Sequence, residues 1–187
     1  QQSVADNDKA TNWNKSAARI AELAEQGAEP EAVEGIVHAT TVATNAILER
    51  RGALTGLVTT RGFRDVLDMR RLRIPEMYVL NYPKPEPLVP RRLRLEIDER
   101  LGPLGEVRRE LDEQSVEQAG QRLKAAGVEA VAISLLHAYA NPAHERAVRD
   151  RLADRAPDVL VSLSSGVSPK FREYERTSTT VANSYIK

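Results

Sequence analysis

Val128-Glu129-Ala130-Val131-Ala132-Ile133-Ser134-Leu135-Leu136 is an almost wholly apolar run with no alternation of wet and dry positions. Such a run suits a strand covered on both faces, as strands are in a parallel sheet. Just before it, Asp112 stands where a cap is wanted for a helix whose Val116, Ala119, Leu123 and Ala126 form one stripe, and Gly127 ends that helix. Just after it, Asn141-Pro142 sets a capping side chain before a proline at the first helical position, opening a helix to about Arg155 with Ala147, Val148 and Leu152 inward. Val159 to Leu163 reads as the next strand. Ser168-Pro169 repeats the cap-plus-proline start for a last helix through Phe171, Tyr174, Ser178, Val181 and Tyr185. Strand, helix, strand, helix with short connections implies right-handed crossovers and a parallel sheet flanked by helices.

Upstream the pattern is shorter in period. Trp13, Ala17, Ile20, Leu23 and Ala24 recur at helical spacing, Gly35 to His38 is a short apolar run, and Thr40-Thr41 opens a helix over Val42, Ala46, Ile47 and Leu48 that Gly52 closes with a left-handed cap. Leu54 to Thr60 is β-prone, and Arg61-Gly62 turns it into a short segment from Phe63 to Met69. Pro75, Pro83, Pro85, Pro87 and Pro90 then forbid helix and central strand alike. Leu93, Leu95 and Ile97 alternate with Arg94, Glu96 and Asp98, and Gly102-Pro103-Leu104-Gly105 returns the chain toward Val107 and Leu111, which reads as a β-hairpin with one wet face. The organisation expected is an N-terminal helix and frayed end over 1–33, a first α/β segment over 34–73, a Pro-rich loop and hairpin over 74–111, and a βαβα segment of the same α/β domain over 112–187.

The chain has 187 residues, 41% hydrophobic and 29% charged, which fits a folded chain that buries a core without cross-links. Its 27 basic and 27 acidic side chains balance, so the overall attraction behind non-specific nucleic-acid or anionic-membrane binding is missing. Neither partner is expected. No apolar run approaches the roughly 18 residues of a spanning helix, and residues 1–15 carry no signal-peptide core, so a cytoplasmic location is expected. The absence of cysteine excludes disulfides, thiolate metal ligands and cysteine nucleophiles.

In open α/β sheets ligands gather at the carboxyl ends of strands, where helix N-termini present free amides. Three stretches fall there. His38-Ala39-Thr40-Thr41, with Asn45 one turn on, either holds a phosphate or carbonyl oxygen or merely caps a helix; it has no P-loop glycines or lysine. Thr59-Thr60-Arg61-Gly62 offers Arg61 to a carboxylate, a phosphate or solvent. Leu136-His137-Ala138-Tyr139 leads to Asn141-Pro142 and His144, and a histidine after a buried strand reads as structural, satisfied by backbone. The three histidines lie far apart, so no cysteine or histidine cluster offers a metal site. Arg64, Arg70, Arg71 and Arg73 read as a wet helix face. Thr177-Ser178-Thr179-Thr180 puts four mediocre helix formers in mid-helix. With Arg176 that turn either faces a polar ligand or partner, or uses small residues for a close helix–sheet contact. No Gly-x-Ser-x-Gly elbow is present, and no catalytic base is assigned.

Taken together, His38-Ala39-Thr40-Thr41-Val42-Ala43-Thr44-Asn45-Ala46, Leu57-Val58-Thr59-Thr60-Arg61-Gly62-Phe63-Arg64-Asp65, Leu136-His137-Ala138-Tyr139-Ala140-Asn141-Pro142-Ala143-His144-Glu145 and Phe171-Arg172-Glu173-Tyr174-Glu175-Arg176-Thr177-Ser178-Thr179-Thr180 resemble the N-terminal region of the hydantoinase A / 5-oxoprolinase family, in order, from about Glu34 onward. The resemblance implies an α/β fold with a mixed or parallel sheet layered with helices, a ribonuclease-H-like, actin-like ATPase portion with the Pro-rich junction and β-hairpin as an insertion. It implies ATP and Mg²⁺ in the complete enzyme and ATP-driven opening of a cyclic amide such as a hydantoin or 5-oxoproline; related members carboxylate acetone or acetophenone. In that chemistry, phosphorylating an amide or enolate oxygen makes a poor electrophile or leaving group a good one. Carried over by motif, His38, Thr40, Thr41 and Asn45 line the substrate or phosphate side of the cleft, Arg61 is an anion contact, and Arg176 and Thr177 belong to the same cleft.

The sequence departs from the family in three places. The Asp-x-Gly-Gly-Thr-x-Thr-Asp phosphate loop with which the family opens is absent from these residues, the family continues well past the last helix, and Ala39 stands where the family has glycine, a Cβ that costs on the order of 1 kcal/mol if the backbone there needs positive φ. The chain therefore reads as an internal piece, inactive alone, whose open sheet edges favour oligomers and partner chains, namely the remainder of a hydantoinase A chain and a hydantoinase B-type subunit. Three functions are carried forward: part of an ATP-dependent cyclic-amide hydrolase, part of an ATP-dependent acetone- or acetophenone-type carboxylase, and a non-catalytic α/β assembly module.

Overall fold

The computed structural model describes residues 21, 22, 25, 27, 41–71, 82 and 84–187, in two compact units, Gln1–Thr41 and Val42–Lys187. In the first unit Ala21, Glu22 and Glu25 are helical. The rest of the expected N-terminal helix, the expected strand at 35–38 and the first prolines of the Pro-rich stretch lie outside the described residues.

The second unit runs α1 (Val42–Leu48), β1 (Thr55–Thr60), α2 (Val66–Met69), β2 (Arg94–Ile97), β3 (Arg100–Leu101), β4 (Val107–Arg109), α3 (Glu113–Ala125), β5 (Ala130–Ser134), α4 (Ala143–Arg155), β6 (Leu160–Leu163), α5 (Ser164–Val167) and α6 (Glu173–Tyr185). Four strands form one parallel sheet in the order β2-β1-β5-β6, and β3 and β4 make a separate antiparallel pair. β1 and β5 are buried along their whole length, as their position in the middle of the sheet requires. Helices α3 and α4 pack together on one face, and α2 and α5 pack on α6 on the other. Leu57, Val58, Ile97, Val131, Ile133 and Leu135 are fully buried between these layers, each contributing about 1.5–3 kcal/mol of transfer free energy.

Local chemistry places the helices. Asp112 accepts hydrogen bonds from the amides of Gln114 and Ser115 at 3.2 and 3.1 Å, capping α3, and Gly127, at φ +68°, turns the chain out of it. Asn141 accepts from the amide of Ala143 at 3.0 Å and donates to the Gly105 carbonyl at 2.9 Å, so one side chain starts α4 and ties it to the β3–β4 turn. Among the described residues no helix is long and apolar enough to cross a membrane.

Three sequence expectations are corrected. Residues 94–97 are not a hairpin arm: β2 pairs in parallel with β1, Thr59 opposite Glu96, and the hairpin follows at 100–109. The alternation misleads because its charged positions are spent on tertiary partners, Arg94 on Asp68 and the Val89 carbonyl, Glu96 on the Gly62 amide at 2.8 Å. The left-handed residue after α1 is Arg50, at φ +56°, and not Gly52; a Cβ on Gly52 would sit 2.3 Å from the Tyr185 ring, so close approach is what calls for glycine there. Finally, Ser168-Pro169 does not open the last helix. A single turn, α5, comes first, and α6 begins at Glu173 after Arg172 at φ +91°.

Candidate functional site

From β1 the chain builds β2 on one side and β5, then β6, on the other. The strand order therefore reverses between β1 and β5, and the crevice beyond their carboxyl ends is where doubly wound sheets bind ligands. β1 ends there with Thr59 and Thr60, β5 with Ser134, and the first turn of α6 lies across them.

Alternation puts Thr59 of β1 and Ser134 of β5 side by side on the α6 face, where the register pairs them. Ser134 Oγ and Thr177 Oγ1 are 2.9 Å apart. Ala130, Ala132 and Ser134 on β5 and Ser162 on β6 make this face shallow, which admits α6 closely; Asn183 reaches Ser162 at 2.9 Å. The close helix–sheet contact expected of the hydroxyl run is present here. Thr180 and Ser178 turn back onto the helix carbonyls of Arg176 and Glu175, while Thr177 faces a hollow.

That hollow has about 190 Å³ of atom-free space open at its mouth, and Thr59, Phe63, Val66, Ser134, Leu136, Glu173, Arg176 and Thr177 line it. Arg176 is 2% exposed. Its Nη2 donates to the Leu135 carbonyl at 2.7 Å, and the Tyr139 ring lies 5.4 Å from its guanidinium carbon. Among the described residues, Nε and Nη1 are buried with no acceptor. Burial pushes its pKa below the ordinary guanidinium range, opposed by the charges of Glu145 and Glu173. Beside it, Tyr139 meets His137 and Phe171 edge-on, at ring separations of 5.9 and 6.1 Å, and both His137 (φ +57°) and Arg172 (φ +91°) hold left-handed backbone. Two of the four described non-glycine residues with positive φ stand at this rim, the others being Arg50 and Arg70.

Two buried carboxylates brace the strand exits from behind. Glu99 receives the Thr60 hydroxyl on one oxygen and lies 2.8 Å from His144 Nδ1 on the other, and Thr60 in turn accepts from the Leu136 amide at 2.9 Å. Glu145 accepts from the amides of Leu135 and Ser165 and the Ser164 hydroxyl, at 3.1, 2.9 and 2.5 Å. The backbone of Leu135 and Leu136 is thereby fixed on both sides. Sequence reasoning put His144 in the third strand-exit stretch but missed Ser134, Glu99 and Glu145 as members of this assembly; Glu145 next to His144, in the first turn after the Asn-Pro cap, was the available signal.

Of the residues named from sequence, Arg176 and Thr177 come together in the hollow. Thr41 is exposed at the end of the first unit and Asn45 is exposed on α1. His38 and Thr40 lie outside the described residues. Arg61 follows β1 but spends its guanidinium on Asp98 at 2.7 Å, beside Arg109 on the other Asp98 oxygen at 2.5 Å. His137, expected to be satisfied by backbone, has its Nδ1 3.3 Å from the Tyr139 hydroxyl. Among the described residues no group of three or more His, Asp or Glu side chains is placed to hold a metal ion.

The same arrangement of elements is found in known proteins. The crystal structure of the ATP-dependent caprolactamase from Pseudomonas jessenii superposes with a TM-score of 0.78 at 35% identity, over 92% of this chain and 26% of that one. In sequence, the caprolactamase subunit alpha of that organism is 38% identical over 152 residues, 80% of this chain and 22% of its own length. The acetophenone carboxylase gamma subunit of Aromatoleum aromaticum is 36% identical over 170 residues, 83% of this chain and 23% of its own. The chain thus spans about a quarter of the length of these relatives. The pattern that defines the hydantoinase/oxoprolinase N-terminal region matches residues 10–155, and the chain, an α/β portion of the actin-like ATPase type, belongs to that family.

Proposed function

We propose that this chain is the N-terminal portion of a cytoplasmic, ATP-dependent cyclic-amide hydrolase that activates a carbonyl oxygen by phosphorylation, and that it works with the rest of a hydantoinase A-type chain and a hydantoinase B-type subunit. The observation that carries the reading is the position of the polar hollow: buried Arg176, Thr177, Ser134 and Thr59 stand at the strand-order reversal of a fold shared with an ATP-dependent caprolactamase. The names of its relatives as subunits support a partner chain.

An amide carbonyl resists water because nitrogen donates into it. Transfer of a phosphoryl group to its oxygen withdraws that donation, and charge builds on oxygen as the transfer proceeds. Donors fixed in advance around that oxygen are worth far more than water would be, because they need no reorganisation. Arg176 and the three hydroxyls supply such donors, and the two buried carboxylates keep the strand exits from relaxing. His38, Thr40, Thr41, Asn45 and Arg61 stay in the proposal as residues of the substrate or phosphate side. Mg²⁺ would accompany the nucleotide, but the described residues do not fit a metal site.

The test is ADP release by the full-length enzyme with its partner subunit, offered 5-oxoproline, a hydantoin or caprolactam in turn. One of these should stimulate ATP hydrolysis, and Arg176→Lys or Thr177→Val should lower kcat/KM by about 10²–10³. Stimulation only by acetone or acetophenone with bicarbonate would assign the carboxylase reading, which the acetophenone carboxylase relative favours. No stimulation by any of them would leave the non-catalytic module.

A further inference from the structure

Residues 169–172, between α5 and α6, are exposed one after another, and the Lys170 amide donates to the Ser168 carbonyl at 2.7 Å where the loop turns outward. Three side chains of this loop return nothing to the unit that carries them. Arg172 holds φ +91° and ψ +107°, a conformation that glycine adopts without strain and a residue with a Cβ does not. What arginine adds at that position is its side chain, which among the described residues has no hydrogen bond or ion pair and acts only through its charge on Glu175. Phe171 is 66% exposed, although an apolar ring gains by leaving water. Lys170, on its other side, is likewise without an acceptor among the described residues. The two carboxylates at the start of α6 do not answer these cations: Glu175 is bonded to Arg71, and Glu173 is bonded to neither.

The exposed ring is held all the same. Phe171 meets Tyr139 edge-on, Tyr139 is flanked by the His137 ring and by the Arg176 guanidinium, and Arg176 is tied to the end of β5 through the Leu135 carbonyl. A side chain fixed before it is covered loses little freedom on being covered, and aromatic and arginine side chains are those enriched where protein–protein binding energy concentrates. We infer that residues 169–172 are a docking point for a second subunit, which takes Phe171 into an apolar pocket and offers carboxylates to Lys170 and Arg172. The inference rests on the reading above only for the existence of that subunit. Shape and charge name the occupant. No cavity encloses these three side chains: they stand outside the neighbouring hollow, which none of them lines, whereas small molecules bind where most of their surface is enclosed. Two unanswered cations on either side of an exposed ring complement an acidic, partly apolar protein surface.

The experiment sets a photoreactive group in the loop, Phe171→p-benzoylphenylalanine, in the full-length chain assembled with its second subunit, and reads the irradiated assembly by mass. An adduct of the two different chains is expected. An adduct within one chain, an adduct of two copies of it, or no adduct would each overturn the docking point. Affinity supplies the second measurement. Phe171→Ala should raise the dissociation constant of the assembly about thirtyfold, as loss of an aromatic anchor does, and Arg172→Gly about tenfold even though its own thermal midpoint rises. Binding lost while stability is gained is a pattern that a structural role would not produce; unchanged affinity in both variants, or weaker binding only in step with a lower midpoint, would overturn the inference. Added salt should weaken the parent assembly more than the Arg172→Gly assembly, and equal weakening would remove the carboxylate contact. Turnover does not enter these measurements, so a failed cyclic-amide assay leaves the docking point standing, and a missing adduct leaves the enzyme reading standing.

Discussion

At the scale of single residues, the features that follow from local chemistry were legible in the sequence and those that follow from strain were not. Asp112 and Asn141 cap the helices they were expected to cap, because a cap needs only its own next three residues. Asp112→Ala should cost about 1 kcal/mol, read as a lower midpoint in a urea melt. Arg172, by contrast, holds φ +91° with nothing in its side chain to announce it. Backbone of this kind costs ~1–3 kcal/mol in a residue with a Cβ, and among the described residues the exposed Arg172 side chain makes no hydrogen bond or close ion pair that offsets it, acting only through its charge on Glu175. Arg172→Gly should therefore raise the thermal midpoint by several degrees in a unit of this size; a lower midpoint would mean that the side chain contributes more than the strain takes away. Ser134 was hidden for a different reason. Set in an apolar run, it reads as a tolerated small residue, and only the register that brings Thr177 across it gives it a role.

Elements were legible where their partners are near in sequence. β5, α4 and β6 stand within a residue or two of where the apolar runs and caps put them. β2 was misread because its partner, β1, is more than thirty residues away, and pairing over that distance leaves no local trace. The same distance conceals the braces behind the site. Glu99 looks like one more charge in a wet loop until the fold sets it between Thr60 and His144. Its removal should be felt at once: Glu99→Ala strands a buried hydroxyl and a buried imidazole, and should cost about 3 kcal/mol, whereas a cost under about 1 kcal/mol would show that the cluster does not brace the strands. Gly52→Ala should cost ~1–3 kcal/mol, since the added methyl meets both the ring of Tyr185 and its carbonyl oxygen.

For the unit Val42–Lys187 as a whole, the exposed charge pairs set the response to acid. Hydrogen bonding to Arg109, with the charges of Arg109 and Arg61 behind it, holds the Asp98 carboxyl below the usual carboxylate range; Arg91 does the same for Asp65. Glu175 is lowered by its own amide and then by Arg71. A carboxyl whose folded pKa is depressed binds protons more readily when unfolded, so its contribution is intact above the unfolded value and is lost as pH falls through the folded one. Stability should hold level from neutral pH down to about 5 and decline below about 4, less steeply in Asp98→Asn and at high salt, as thermal melts across pH would record. One contact bears on how this body can be handled. The Ala53 amide donates to the Tyr185 carbonyl at 2.9 Å, so the polypeptide enters β1 and quits α6 at a single point, at the pole opposite the hollow. A body anchored that way can be circularly permuted, its old ends joined by a short tether and new ones cut at the Gly102–Gly105 turn, or spliced into a loop of a host protein, with the business end left facing outward.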